Sequence, residues 1–172
     1  MNAHGGSTTK RPRLGRCAID TERSRIGFAG RHLFGLLPVR GTFALRSGTV
    51  DVAEPLQDSC IEVEIDAGSF RTGNPRRDRD VRSAKFLDTD RHPVFRFSSE
   101  RVDEAGVSGG LTVLGVSRPV RLEIREYTVS GPDGFTVRAT TRLDRTEFGV
   151  TAAPGLAGRH LDVTAEVFCT YR

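Results

Sequence analysis

The chain has no tryptophan, one methionine, two tyrosines and three cysteines in 172 residues. Cys17, Cys60 and Cys169 lie far apart, with no C-x-x-C pair and no histidine at ligand spacing. That excludes a disulfide framework and a zinc-ribbon pattern, and the three read as small buried thiols, with no metal site. No stretch approaches the roughly 18 consecutive apolar residues that a membrane-spanning helix needs. There is no P-loop, no G-x-G-x-x-G and no G-x-S-x-G, so the expectation is a protein that is not an enzyme and needs no cofactor. The first 16 residues, MNAHGGSTTKRPRLGR, lack the apolar run of a secretory signal, and a cytoplasmic protein is expected.

Charge of one sign is also scarce once its location is considered. The net +4 comes from 26 basic and 22 acidic residues, and Lys10, Arg11, Arg13 and Arg16 precede every acid. Removing those four leaves 22 bases against 22 acids. A neutral body is a poor match for a polyphosphate backbone, so nucleic acid is not an expected partner. Two parts are read: residues 1–16 as a disordered basic tail and 17–172 as one domain, a length that supports a sizeable core.

What is present is strict alternation. Leu161, Val163, Ala165, Val167, Cys169 and Tyr171 share one face against Asp162, Thr164, Glu166 and Thr170, with Phe168 alone breaking the polar face. Runs of the same period begin at Ile26, Leu37, Ile61, Val94, Val107, Val120 and Phe135, with Gly48, Gly106, Gly115, Pro132-Asp133-Gly134 and Pro154-Gly155 as punctuation. The reading is all-β, a single antiparallel eight-stranded barrel with one short helix. Such a barrel is either filled by its own side chains or holds one elongated ligand, and periodicity does not separate the two.

The helix is expected from Pro75 to Leu87, capped by Asn74 with Pro75 at the first position. It lies in the stretch from Phe70 to Phe97, where eight bases face four aspartates. Those charges read either as an ion-pair net holding the helix to the barrel or as a clamp for an anionic head.

The order of short motifs supplies more. Ile19-Asp20, Ser24-x-Ile26-x-Phe28, His32, Gly41-x-Phe43, Ser69-Phe70-x-Thr72-Gly73-Asn74, Arg77-Asp78, Arg82-Ser83, Phe86, Pro93-x-Phe95-x-Phe97, Gly110-Leu111-Thr112, Gly115-Val116-x-Arg118-Pro119-Val120 and Asp144-Arg145-x-x-Phe148-Gly149 together resemble the YceI family. The chain departs from the family pattern in having no tryptophan before Ile19 and Asp80 where a histidine is usual.

The resemblance implies a lipocalin-like barrel that binds or carries a long isoprenoid amphiphile, of polyprenyl or quinone type, in an apolar tunnel. The tail would lie among Phe28, Phe43, Ile61, Val63, Ile65, Phe70, Phe86, Phe95, Phe97, Leu111, Val113, Val120, Leu122, Ile124 and Phe148. The head would meet His32, Thr72, Asn74, Arg77, Arg82 and Arg145. The competing reading is a structural or interaction barrel with a filled core and no lipid. A homodimer is compatible with such a barrel, although no sequence feature specifies one.

Overall fold

The computed structural model describes residues 11–32, 36–155 and 157–172, with His32 as backbone alone. Nine strands form one antiparallel sheet: β1 Gly15–Ile19, β2 Arg25–His32, β3 Leu37–Val52, β4 Cys60–Asp66, β5 Val94–Val102, β6 Gly106–Val113, β7 Val116–Ser130, β8 Gly134–Asp144 and β9 His160–Tyr171. Their order is β1-β3-β2-β9-β8-β7-β6-β5-β4, and β4 pairs back onto β3, so the sheet closes.

β1 and β2 both lie antiparallel between β3 and β9, one beyond the other. They share a single position in an eight-membered ring. The break between them is built locally, because the Asp20 carboxylate accepts from the N–H groups of Glu22 and Arg23, both at 3.1 Å. Ser24 Oγ then accepts the Phe168 N–H of β9 at 2.9 Å, a donor the interrupted strand would otherwise leave unpaired. Phe168, the apolar residue on the polar face of β9, is covered by the Arg23 guanidinium 4.3 Å from its ring centroid.

Three local expectations change. β3 continues to Val52 where Gly48 suggested a turn, because Ile19 crosses that position and a Cβ there would meet its Cδ1 at 2.5 Å. The chain joins the sheet at Gly15, so Gly15 and Arg16, read as tail, belong to the first strand; residues 1–10 lie outside the described residues.

The helix α1, Pro75–Arg82, starts as read, with Asn74 accepting the Arg77 N–H at 3.1 Å, but it stops five residues early. Ser83 leaves helical geometry at ψ 167° and its hydroxyl bonds the Asp80 carbonyl at 2.5 Å, the competition with the backbone that serine offers. The chain then folds back, so that Leu87 N–H reaches the Val81 carbonyl at 2.9 Å and Leu87 becomes buried.

The barrel has two ends. At one lie the β3–β4, β5–β6 and β7–β8 connections with the start of β1. At the other lie α1, the β6–β7 turn and the long β8–β9 connection. No helix among the described residues is long and apolar enough to cross a membrane.

Candidate functional site

A cavity of about 1200 Å³ occupies the barrel at the β3–β4 end. That exceeds the roughly 300–1,000 Å³ of ordinary small-molecule pockets. Its wall is supplied by alternate residues of nearly every strand, among them Ile19, Ile26, Val50, Val107, Phe135, Val137, Ala139, Val163, Ala165 and Val167. Among the described residues, charged side chains reach it only from the segment before β1, the β3–β4 connection and the β5–β6 turn: Arg11, Glu54, Asp103 and Glu104.

That rim is largely self-paired. Arg11 contacts Glu104 at 2.9 Å. Asp103 takes Arg121 at 3.2 Å and the backbone N–H groups of Ala105 and Gly106, and these donors, Arg121 first, hold its carboxyl below the usual range. Pro12 and Leu14 lie over the rim, and the Arg13 N–H donates to the Tyr171 hydroxyl at 2.9 Å. Deeper in, Cys169 is the one thiol on the wall among the described residues, and burial pushes it up to about 12. At neutral pH it is a small apolar group, not a nucleophile.

The opposite end is solid. Phe28 and Phe70 stack with centroids 5.2 Å apart, and Phe43 lies 5.5 Å from Phe28, Phe70 and Phe95. Gly41 makes room for this cluster, since a Cβ there would meet the Phe28 ring at 2.3 Å and the Arg71 carbonyl at 2.5 Å. Arg71 in turn pairs with Thr42 through two backbone hydrogen bonds, extending β3 where β4 has left it. Val113 and Phe86 pack against the same core.

Of the residues expected around a lipid tail, Ile61, Val63, Ile65, Phe97, Leu111, Val120, Leu122 and Ile124 line the cavity. Phe28, Phe43, Phe70, Phe86, Phe95, Val113 and Phe148 lie outside its wall; the first five and Val113 build the plug, and Phe148 is buried at the foot of β8. The cavity wall on β8 and β9 was absent from the expected set, although a run of short inward residues from Val137 to Thr141 and from Val163 to Val167 signals it.

None of the described side chains expected at a head group reaches the cavity; they stand at the plug end. Thr72 donates its N–H at 3.1 Å and its hydroxyl at 2.5 Å to Asp78, which is 5% exposed. Burial alone would raise the Asp78 pKa, but the bonds from Thr72, with Arg82 and Arg77 nearby, hold it below the ordinary value. Arg77 Nε donates to Thr72 Oγ1 at 2.9 Å, and Arg82 donates to the Phe70 carbonyl. The arginines therefore clamp helix to barrel. Asn74 caps the helix.

Arg145 holds the β8–β9 connection through the carbonyls of Gly158, Val150 and Ala157 at 2.7–3.0 Å. The neighbouring Asp144 carboxylate accepts from Thr146 and Arg159 rather than from Arg145. The side chain of His32 lies outside the described residues.

Comparison with known proteins agrees with this architecture. The family model described as YceI-like domain matches residues 18–168. A UPF0312 protein of Vibrio parahaemolyticus is 31% identical over 147 residues, covering 77% of this chain and 76% of the relative. One from Pseudomonas putida is 31% identical over 163 residues, covering 87% and 78%.

Among solved structures, BcnA of Burkholderia cenocepacia superimposes with TM-score 0.72 at 18% identity, covering 87% of this chain and 98% of that one. A polyisoprenoid binding domain from Saccharophagus degradans, implicated in plant cell wall breakdown, gives 0.72 at 17% identity, covering 93% and 100%.

Proposed function

For this chain, which belongs to the YceI-like family, we propose a binding or carrier role for one long isoprenoid amphiphile, its tail held in the barrel cavity. The observation that carries the reading is the cavity: about 1200 Å³, apolar along its depth, charged among the described residues only at its rim, and stopped at one end by phenylalanines. A filled, purely structural barrel leaves no such space. The polyisoprenoid binding domain with the same fold adds support.

The energetics suit a tail of this kind. Burying a CH₂ group is worth about 0.8 kcal/mol, so each five-carbon unit brings roughly 3–4 kcal/mol before the costs of ordering. Walls of Val, Ile, Leu and Ala supply this without polar specificity. Binding is favoured over catalysis because Glu104 and Asp103 are each engaged by an arginine at the rim and the Cys169 thiol on the wall is held in an unreactive form. Among the described residues no three His, Cys, Asp or Glu side chains gather as a metal site.

Extraction of the purified protein with organic solvent, followed by mass spectrometry, tests the reading. A prenyl lipid at near-equimolar ratio is expected. Repeated ligand-free preparations that also fail to retain an added long-chain prenyl quinone would overturn it.

A further inference from the structure

The barrel wall has a seam. β7 and β8 are hydrogen-bonded only from Glu123–Thr140 to Ser130–Gly134, although β7 begins at Val116 and β8 runs on to Asp144. Continuing the register would set Arg121 opposite Arg142 and Pro119 opposite Asp144. Like charges directly opposed across a ladder repel. Pro119 has no N–H to give, and counting from the Val113–Val116 pair that closes the β6–β7 turn, the missing donor falls on the β8 side. The sequence thus opens this half of the strand pair while β7 stays fully paired with β6 and β8 with β9.

A polar pocket of about 250 Å³ lies over the opening, and Val120, Thr141 and Leu143 line both this pocket and the main cavity. Three side chains of modest size are therefore the common wall between an apolar interior and a polar outer recess. That recess is lined by Arg121, Arg142, Asp144 and Glu147. Arg121 is engaged by Asp103 and Ser108, and Asp144 by Thr146 and Arg159. Arg142 is exposed and has no ion pair or side-chain hydrogen bond among the described residues.

We propose that this seam is the head-group subsite and lateral port of the barrel: the tail lies inside, and the head rests in the outer recess against Arg142 and Thr141. The proposal rests on the lipid-binding reading above and adds where the head sits and what it is. Guanidinium and hydroxyl donors call for acceptor oxygens, while the carboxylates of Asp144 and Glu147 disfavour a multiply charged anion. The head is thus a neutral or singly charged group bearing carbonyl or hydroxyl oxygens. At the other opening, three carboxylates line the rim, and both of its ion pairs, Arg11 with Glu104 and Arg121 with Asp103, already occupy the arginines there among the described residues.

The test uses a long-chain prenyl quinone carrying a diazirine on its ring, bound to the full chain, irradiated, and mapped by peptide mass spectrometry. Cross-links to residues 119–122 or 141–147 are expected; retention with cross-links confined to residues 11–14, 54–57 or 103–104 overturns the seam while leaving lipid binding intact. In Arg142→Ala, quinone dissociation should accelerate at least roughly tenfold while a head-less prenyl hydrocarbon is held as before; equal quinone retention in variant and wild type also overturns it. A prenyl pyrophosphate should be retained less well than the quinone, and the reverse order refutes the charge assignment. If the wild type retains neither quinone nor hydrocarbon, the lipid-binding reading itself fails.

Discussion

The two ends of one barrel solve the same interior differently. At the α1 end four phenylalanines meet at 5.2–5.5 Å and leave no space, and at the β3–β4 end the facing walls stay apart around about 1200 Å³. The backbone ring is the same in both, so side-chain reach decides the outcome. A phenylalanine ring extends far enough from its strand to touch a ring from a neighbouring wall; Val, Ala and Thr on β8 and β9 do not. Polar groups divide in the same way. Those at the closed end hold helix and loops to the barrel through buried bonds to Asp78 and to main-chain carbonyls, whereas those at the open end form exposed pairs.

The sharpest way to break the comparison is to truncate the plug. Phe70→Ala should destabilise the fold by about 3–5 kcal/mol, the usual cost of emptying a packed aromatic site, read as a fall in the urea midpoint at unchanged slope. A loss below ~1 kcal/mol would mean that the plug is not packed as described. Next in size is Thr72→Ala, which strips the buried Asp78 carboxylate of its hydroxyl donor; about 1–3 kcal/mol is expected from leaving it under-satisfied. The cavity half should behave in the opposite sense. Ala165→Phe projects into existing space, so stability should change by less than ~1 kcal/mol, while retention of a prenyl quinone falls by roughly tenfold or more. A large destabilisation with retention unchanged would show that Ala165 does not face an empty interior.

Much of this was legible from period two. Alternation assigns each residue to the inside or outside of the sheet, and the inward phase of β4 through β7 carries Ile61, Val63, Leu111, Leu122 and Ile124, which line the cavity. Alternation carries no information about height along the barrel. Height depends on the register between strands, and it alone puts Phe97 in the cavity and Phe95, two residues earlier on the same face, in the plug.

The charged set of α1 fell at the closed end for the same reason. Its arginines suit an anionic head by chemistry, but the connection that carries them leaves β4 at the end where the rings meet. The seam between β7 and β8 had a readable cause in Pro119 and in the Arg121–Arg142 opposition, but only the bulge between Ile124 and Glu126 sets those two arginines across from each other. One extra residue in a strand is invisible to a hydrophobic pattern.

The smallest effect concerns acid at the foot of β8, beside the closed end. Asp144 accepts from Thr146 Oγ1 at 2.6 Å, Thr146 N–H at 2.9 Å and Arg159 Nε at 2.7 Å. Thr146 first and Arg159 after it outweigh desolvation and lower the carboxyl from 3.8 to about 2. A carboxyl whose pKa is depressed by folding contributes stability that is fully present above its unfolded value and is lost as pH falls through the folded one. The window is therefore about pH 4 down to 2. Asp144→Asn removes the proton-linked part, so the gap between wild type and variant should be constant from neutral pH to about 4 and close by about pH 2, followed as thermal midpoints across a pH series. The exposed setting of Arg159 and the single loop involved keep the shift to a few degrees or less. A gap that widens as pH falls would mean that Asp144 is destabilised, not held, by its neighbours, and that the closed end owes its order to the phenylalanines and Asp78 alone.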